Sequence, residues 1–167
     1  TTHDPDGNIF DLSQSKMANR RDVYEDGEWE QDRHISHFAV RTLNPEKCAE
    51  FYCDVLELQP TNRKEGDENY YVTDGRMTVV LMPWDIMDYA DTGISRSGPD
   101  HFAFKVESID ALKKDLGAMI ERNQNLRPPE VGIGPEGKAR LALFEKSTPY
   151  AQFHLSDYDN SMLAVHE

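Results

Sequence analysis

His37-Phe38-Ala39-Val40 and His101-Phe102-Ala103-Phe104 are two copies of one short pattern. In each copy a helix start follows seven residues after the histidine, at Asn44-Pro45-Glu46 and at Ser108-Ile109-Asp110. Repetition on this scale predicts two similar supersecondary units within one domain. Each unit opens with a histidine on a short strand, so the two histidines can meet in space and hold a metal ion.

The first unit is predicted to span residues 34–84. Its opening strand, 35–40, is followed by a helix that has Pro45 at the favoured first position behind the cap Asn44. Three further strands are predicted at 59–63, 69–73 and 77–82, and Asp74-Gly75 is a strong hairpin turn between the last two.

The second unit, residues 100–167, repeats this order after a connector at 85–99. A strand at 101–106 precedes a helix, and strands are predicted at 140–144, 151–155 and 162–165. The apolar residues that mark the buried face of the helix are Ile109, Leu112, Leu116, Met119 and Ile120. Each unit is therefore strand, helix and three strands, which is an α+β class.

Residues 1–33 have a different character and are predicted to form an arm. Asp4-Pro5-Asp6-Gly7-Asn8 is a turn signature, and residues 9–12 suit one short strand. From Ser13 to Arg33 the chain is polar without a clear period, which is typical of a linker on the surface.

The composition narrows the range of partners and compartments. A net charge of −13 disfavours nucleic acid and anionic membrane surfaces, and no apolar run approaches the roughly 18 residues that span a bilayer. Cys48 and Cys53 fall on different faces of one helix, so a disulfide is not expected. Free thiols and no visible leader favour the cytoplasm.

Strand alternation predicts which residues share a face with the two histidines. His37, Ala39 and Arg41 should lie on one face of the first strand, opposite Phe38 and Val40. In the second unit, Phe102, Phe104 and Val106 should pack inward, which turns His101, Ala103 and Lys105 to the other face. His154 should lie on the histidine face of a later strand.

The doubled order of elements, with a histidine on each first strand, resembles the vicinal oxygen chelate superfamily. This superfamily includes glyoxalase I, bleomycin-resistance proteins, methylmalonyl-CoA epimerase and extradiol dioxygenases. The resemblance covers residues 34–167 and implies paired βαβββ modules that form a cup-shaped mixed sheet around a divalent metal ion. The segment Asp4–Leu12 is similar to the last hairpin of such a module, so residues 1–33 are interpreted as the tail of a preceding domain of this kind, or as an arm that completes a neighbour's sheet.

The resemblance also implies a ligand set. His37 and His101 would be metal ligands, and His154 would be a third ligand or the acid/base group, with His166 and Glu167 as further substitutes. The family's usual carboxylates are missing, because alignment of the turns places Val79 and Ala164 at their positions. The metal would be Fe, Mn, Zn, Ni or Co.

Three functions follow from these features. The first is a metal-dependent lyase, isomerase or dioxygenase that acts on a small oxygen-bearing substrate. The second is a metal-free protein that binds or sequesters a small molecule such as a drug. The third is a degenerate domain that serves assembly, as a homodimer or with a second domain of the same type. Independently of these functions, each histidine could also be an ordinary strand residue.

Overall fold

A computed structural model of the protein describes residues 1–12, 31–85, 97–148, 150–159 and 161–167. The first half of the described chain contains β1 (Thr2–His3), β2 (Ile9–Phe10), β3 (His34–Thr42), α1 (Pro45–Leu56), β4 (Gln59–Pro60), β5 (Tyr70–Thr73) and β6 (Thr78–Pro83). The second half contains β7 (Gly98–Lys105), α2 (Ile109–Arg122), a 3-10 turn (Gln124–Leu126), α3 (Gly134–Ser147), β8 (Phe153–Ser156) and β9 (Met162–His166).

One mixed sheet organises the domain, with the strand order β4-β5-β6-β3-β7-β9-β8. The two opening strands, β3 and β7, pair antiparallel at its centre, and each pairs parallel with the last strand of its own unit, β6 or β9. The repeat is thus expressed as two halves that meet along β3 and β7. This confirms the predicted α+β class and the curved, cup-shaped mixed sheet.

Helix α1 forms where its sequence predicts. Pro45 occupies the first turn, and Glu57 ends the helix in the left-handed conformation, with its backbone N–H bonded to the carbonyl of Tyr52. Cys48, Ala49 and Tyr52 are buried against the sheet, where they pack with Val40, Val72 and Leu81. Both cysteines are free, as expected.

The prediction of a strand at 140–144 is wrong, because these residues lie within helix α3. Pro135 lies in the first turn of this helix, and a short apolar run such as Leu141-Ala142-Leu143 suits either a strand or a buried helix. Phe144 is buried, and Leu141, three residues earlier, packs in the same cluster as Phe144. The second unit therefore has a second long helix in place of a strand, and this helix reaches the concave face of the sheet.

The predicted face of α2 is only half-buried. Ser108 caps the helix by accepting a hydrogen bond from the backbone N–H of Ala111 at 3.3 Å. Each of the five apolar residues of that face is partly exposed, and no residue of α2 is fully buried. Phe102 was expected to pack inward, yet it is 45% exposed and its ring contacts Phe38 on the helix side of the sheet. The strand parity is correct, and the burial is lower because α2 covers this side incompletely.

The start of the arm is a small hairpin in which β1 pairs antiparallel with β2. The buried carboxylate of Asp4 accepts hydrogen bonds from the backbone of Asp6 and Asn8 and from the hydroxyl of Tyr52 at 3.1 Å. The ring of Phe10 packs against Phe51 and Tyr52. The hairpin is therefore docked on α1.

Two predicted segments lie mainly outside the described residues: 13–30 of the linker and 86–96 of the connector. Within the described residues, no helix combines the length and the apolarity needed to cross a membrane.

Tyr52→Phe tests the docking of the hairpin. The change removes one hydrogen bond to a buried carboxylate, so the free energy of unfolding should fall by about 1–3 kcal/mol. Urea denaturation followed by circular dichroism measures this fall. The control is Tyr158→Phe, which should cause no change because Tyr158 is 58% exposed. Equal midpoints for the two variants would contradict the docked arrangement.

Candidate functional site

Strand β3 contains one extra residue directly before its histidine. Ile35 lies opposite Phe104 and His37 lies opposite Ala103, so Ser36 has no counterpart in β7. Such a β-bulge locally changes the direction in which side chains leave the strand. Here it brings the hydroxyl of Ser36 to 3.4 Å from Nδ1 of its neighbour His37.

Strand β7 contains the equivalent irregularity at the same place relative to its own histidine. Ala39 lies opposite His101 and Val40 lies opposite Pro99, so Asp100 is the extra residue. The carboxylate of Asp100 consequently lies 2.6 Å from Nδ1 of His101. Each unit thus provides a histidine together with a polar group at its Nδ1 atom.

The two histidines converge on the concave face of the sheet. Their Nε2 atoms are 3.3 Å apart, and their rings are nearly perpendicular, with centroids separated by 5.4 Å. His37 is 6% exposed and His101 is 2% exposed. The structure therefore brings together the pair that the sequence analysis singled out.

Asp100 orients His101. Burial alone would raise the pKa of Asp100, but the hydrogen bond from His101 and the charge of Arg41 hold it below its usual range. A carboxylate only accepts hydrogen bonds, so Nδ1 of His101 must donate to it. In the neutral imidazole this leaves the lone pair on Nε2, directed toward His37.

His37 is held in its neutral form. Burial, followed by the proximity of His101 and His166, lowers the pKa of His37 to about 3. The hydroxyl of Ser36 lies between His37 and His166, since it is also 2.8 Å from Nε2 of His166. A neutral imidazole is the form that binds metal ions.

Tyr150, in the segment that follows α3, lies against both histidines. Its hydroxyl is 3.3 Å from Nε2 of His101, and its ring contacts His37 edge-on at 4.6 Å. Burial, and then the neighbouring Tyr71 and Asp100, raise the pKa of Tyr150. The residue is therefore a phenol, which can donate a hydrogen bond to the lone pair of His101.

His154 is on the predicted face but does not join the pair. His154 is on β8, where it pairs with Ala164 of β9. Strand β9 lies between β8 and β7, so the backbones of His154 and His101 are about 10 Å apart. The ring of Phe144 contacts both His101, at 4.6 Å, and His154, at 4.8 Å. Nε2 of His154 is buried without a hydrogen-bond partner among the described residues, and burial lowers the pKa of this histidine.

The two substitute ligands have other contacts. The ring of His166 stacks on His37 at 6.2 Å while its Nε2 atom contacts Ser36. The carboxylate of Glu167 accepts a hydrogen bond from the backbone N–H of Ile109, at the start of α2. Glu167 thus acts as a helix cap.

One of the two positions assigned to the missing carboxylates needs correction. Thr78 lies opposite His37 and Val80 lies opposite Ala39, so Val79, between them, points to the helix side and packs in the core beneath α1. The concave face of β6 therefore carries Thr78 and Val80. Ala164 does lie on the concave face, beside Ala103, and is fully buried. None of these side chains provides a carboxylate.

A divalent metal ion fits the pair in part. Two bonds of about 2.1 Å to nitrogen atoms 3.3 Å apart enclose an angle of about 104°, close to the tetrahedral value. However, the described residues include no group of three or more His, Cys, Asp or Glu side chains that could hold a metal. The protein would thus supply two imidazoles and leave the other positions to water, substrate oxygens or the hydroxyl of Tyr150.

Several residues at the site were not predicted. Ser36 and Asp100 are the polar residues directly before each histidine, so the repeat itself held the signal that could have identified them. Phe144 was assigned to a strand, and Tyr150 lies in a segment with no regular pattern. Arg41 was placed on the histidine face, and there it donates from Nε to Asp100 at 2.5 Å.

Comparison with known proteins identifies the family. Residues 34–129, more than half of the chain, match the model of the glyoxalase/bleomycin resistance protein/dioxygenase superfamily. The chain belongs to this superfamily. The matched range ends before α3, the helix that carries Phe144.

Solved structures similar to this chain include three proteins of low sequence identity. A hypothetical protein from Bacillus halodurans is 14% identical, with 81% of this chain and 94% of that chain covered and a TM-score of 0.47. The 2,3-dioxygenase LapB from a Pseudomonas species is 19% identical, with 79% of this chain and 39% of that chain covered and a TM-score of 0.48. Methylmalonyl-CoA epimerase from Mycobacterium tuberculosis is 13% identical, with 80% and 87% covered and a TM-score of 0.44.

The chain spans 39% of the length of that dioxygenase. No protein with a curated description is similar enough to count as a match.

The lowered pKa of His37 predicts a specific acid sensitivity. Since the unfolded chain binds a proton near pH 6.5 and the folded chain only near pH 3, stability should fall as the pH decreases through this window. His37→Gln should remove this component, which amounts to at most about 1.4 kcal/mol per pH unit. Urea denaturation of metal-free protein across the pH range measures it.

The exposed His34 provides the control, because His34→Gln should keep the slope of the original protein. Identical slopes for His37→Gln and His34→Gln would show that His37 is not held neutral in the folded state.

Proposed function

We propose that this domain binds a divalent metal ion between His37 and His101 and acts as a metal-dependent lyase, isomerase or dioxygenase on a small oxygen-bearing substrate. The observation that carries the proposal is the pair of Nε2 atoms at 3.3 Å, each on an imidazole with a polar group at its Nδ1 atom. Outer partners of this kind commonly fix the tautomer and orientation of metal-binding histidines. The candidate metals are Fe, Mn, Zn, Ni and Co, and two imidazole ligands suit Fe, Zn and Ni in particular.

The residues of the site have separate roles in this proposal. Asp100 holds the proton of His101 at Nδ1, which leaves the lone pair of that ring on Nε2. Burial keeps His37 neutral, and a proton on its Nδ1 atom, beside Ser36, would leave its Nε2 lone pair for the metal. The hydroxyl of Tyr150 is placed to donate a hydrogen bond to a substrate oxygen. Phe144 and Tyr150 exclude water around the pair.

When bound, the metal would supply Lewis-acid stabilisation of negative charge on adjacent substrate oxygens. The position of His154 favours a supporting role for this residue rather than the ligand or acid/base role expected from the sequence, because Phe144 separates it from His101.

A metal titration tests the proposal. Isothermal calorimetry with Co²⁺ should give one site in the original protein, and His37→Ala or His101→Ala should weaken binding at least about 100-fold, because each removes a direct ligand. The matched control is His154→Ala, which should bind Co²⁺ as tightly as the original. Absence of binding in the original protein, or equal loss in all three variants, would refute the two-histidine site.

A second candidate function is metal-free binding of a small molecule. Two observations favour it: the pair is almost fully buried, and the hydroxyl of Tyr150 already approaches the lone pair of His101. In this case the histidines, Tyr150 and Ser36 would form a polar wall that bonds directly to the ligand. The same titration separates the candidates, because a metal-free binder shows no Co²⁺ site.

We further propose that residues 1–33 are the tail of a preceding domain of the same type. The support is the geometry of the hairpin. Asp4 accepts from the backbone of the residues two and four positions later, at 3.0 and 2.9 Å, and Asp157 does the same in the β8–β9 hairpin, at 2.9 and 2.7 Å. The partners proposed with this are a second such domain or a homodimer mate, together with a small-molecule substrate in the cytoplasm.

A further inference from the structure

A cavity of about 750 Å³ lies at the edge of the sheet where β3 and β6 end. Its walls come from these strand ends, from the segment 64–69 and from the last turns of α3. Arg41, at the end of β3, lines it, whereas His37 and His101 do not. The cavity is therefore distinct from the histidine pair.

Arg41 is the key residue of this cavity because its charge is buried. The side chain is only 4% exposed, and its Nε atom donates to Asp100 at 2.5 Å. An arginine has five N–H donors, and four of them belong to the two terminal nitrogens, Nη1 and Nη2. Among the described residues, no hydrogen bond uses these four donors, although the residue lines the cavity.

Asp100 balances the charge of this guanidinium but does not bond to its outer donors. One oxygen of Asp100 accepts from Arg41, and the other accepts from His101. A buried cation whose outer donors lack acceptors is costly, and an anion that reaches these donors removes the cost. The end of a guanidinium matches the two oxygens of a carboxylate, which it binds through two parallel hydrogen bonds.

The rest of the wall indicates the body of the ligand. Pro83, Trp84 and Leu143 give it apolar surface. The indole Nε1 atom of Trp84 is buried with no hydrogen-bond partner among the described residues, so the wall contains a second unused donor. Aromatic and apolar walls with a few polar groups are typical of sites for small organic molecules.

The rim of the cavity carries charges of both signs: the exposed side chains of Glu65, Glu68, Lys64 and Lys146 all line it. The rim itself therefore does not exclude a single carboxylate. The net charge of the chain, −13, disfavours ligands with two or more negative charges more strongly than a monocarboxylate. The nearby Asp67 has its own donors, since it accepts from the hydroxyl of Tyr71 at 2.6 Å and from the backbone of Asn69.

We propose that this cavity is a binding site for a monocarboxylate with an apolar or aromatic body, held by the terminal nitrogens of Arg41. The site needs no metal ion, so it does not depend on the function proposed for the histidine pair.

Benzoate is the probe, and benzamide is its neutral counterpart of the same shape. Amide NMR spectra of the metal-free protein, recorded during titration with each compound, should show saturable shifts around the cavity. Benzoate should bind at least about tenfold more tightly than benzamide, because hydrogen bonds from the unused guanidinium donors to a charged carboxylate are stronger than those to a neutral amide. Arg41→Gln should abolish this preference.

Three further variants make the result decisive. Arg63→Gln is the matched control, because Arg63 stacks on Tyr70 at 4.2 Å and does not line the cavity. Leu143→Trp narrows the cavity without changing Arg41, and it should weaken benzoate even if Arg41→Gln fails to fold. His37→Ala should bind benzoate as the original protein does, which separates this site from the metal proposal.

The proposal is overturned if benzoate causes no saturable shift, or if its shifts lie away from the cavity. Equal affinity for benzamide overturns it as well, and so does an unchanged preference in a folded Arg41→Gln protein or unchanged benzoate affinity in Leu143→Trp.

Discussion

The antiparallel pairing of β3 with β7, with one extra residue before the histidine in each strand, is the constraint on which the candidate site depends. Pairing at the centre of the sheet brings two histidines from distant parts of the chain to one place. The bulges then turn Ser36 and Asp100 toward the Nδ1 atoms of the same histidines. A strand without a bulge alternates its side chains between faces, so neither polar residue could lie beside its neighbour in this way.

The order of elements in two similar units and the histidine pair were accessible from the sequence because both follow from the repeat, whereas the cup-shaped sheet was implied by the resemblance to the superfamily. The repeat predicted two similar units, and strand alternation placed His37, His101 and Arg41 on one face. Alternation fails where a strand gains a residue, so the roles of Ser36 and Asp100 could not be read from it. The error at Val79 has a different cause: its facing was inferred from the turn alignment rather than from the regular pairing of β6 with β3.

The side chains that cover the concave face were harder to predict, because their positions depend on α3, a helix that the local sequence pattern did not indicate. Leu141-Ala142-Leu143 is too short to distinguish a strand from a helix, and the tertiary position of α3 decides it. Once α3 lies there, Phe144 fills the space between His101 and His154, and Tyr150 covers the pair. The predicted third ligand is therefore separated from the other two by a residue that had been placed in a strand.

Asp100 also connects the two proposed sites, since its oxygens contact His101 and Arg41, and a change in charge at either one alters the electrostatic environment of the other.

The central claim is that His37 and His101 bind one metal ion through Nε2 while Nδ1 of His101 keeps its proton for Asp100. Nitrogen NMR of protein labelled at its histidine rings, recorded before and after one equivalent of Zn²⁺, tests this claim directly. The account predicts that the Nε2 signals of His37 and His101 shift together to metal-bound values and that the Nδ1 signal of His101 stays protonated. Unchanged Nε2 signals, or metal-bound shifts on His154 instead, would contradict it.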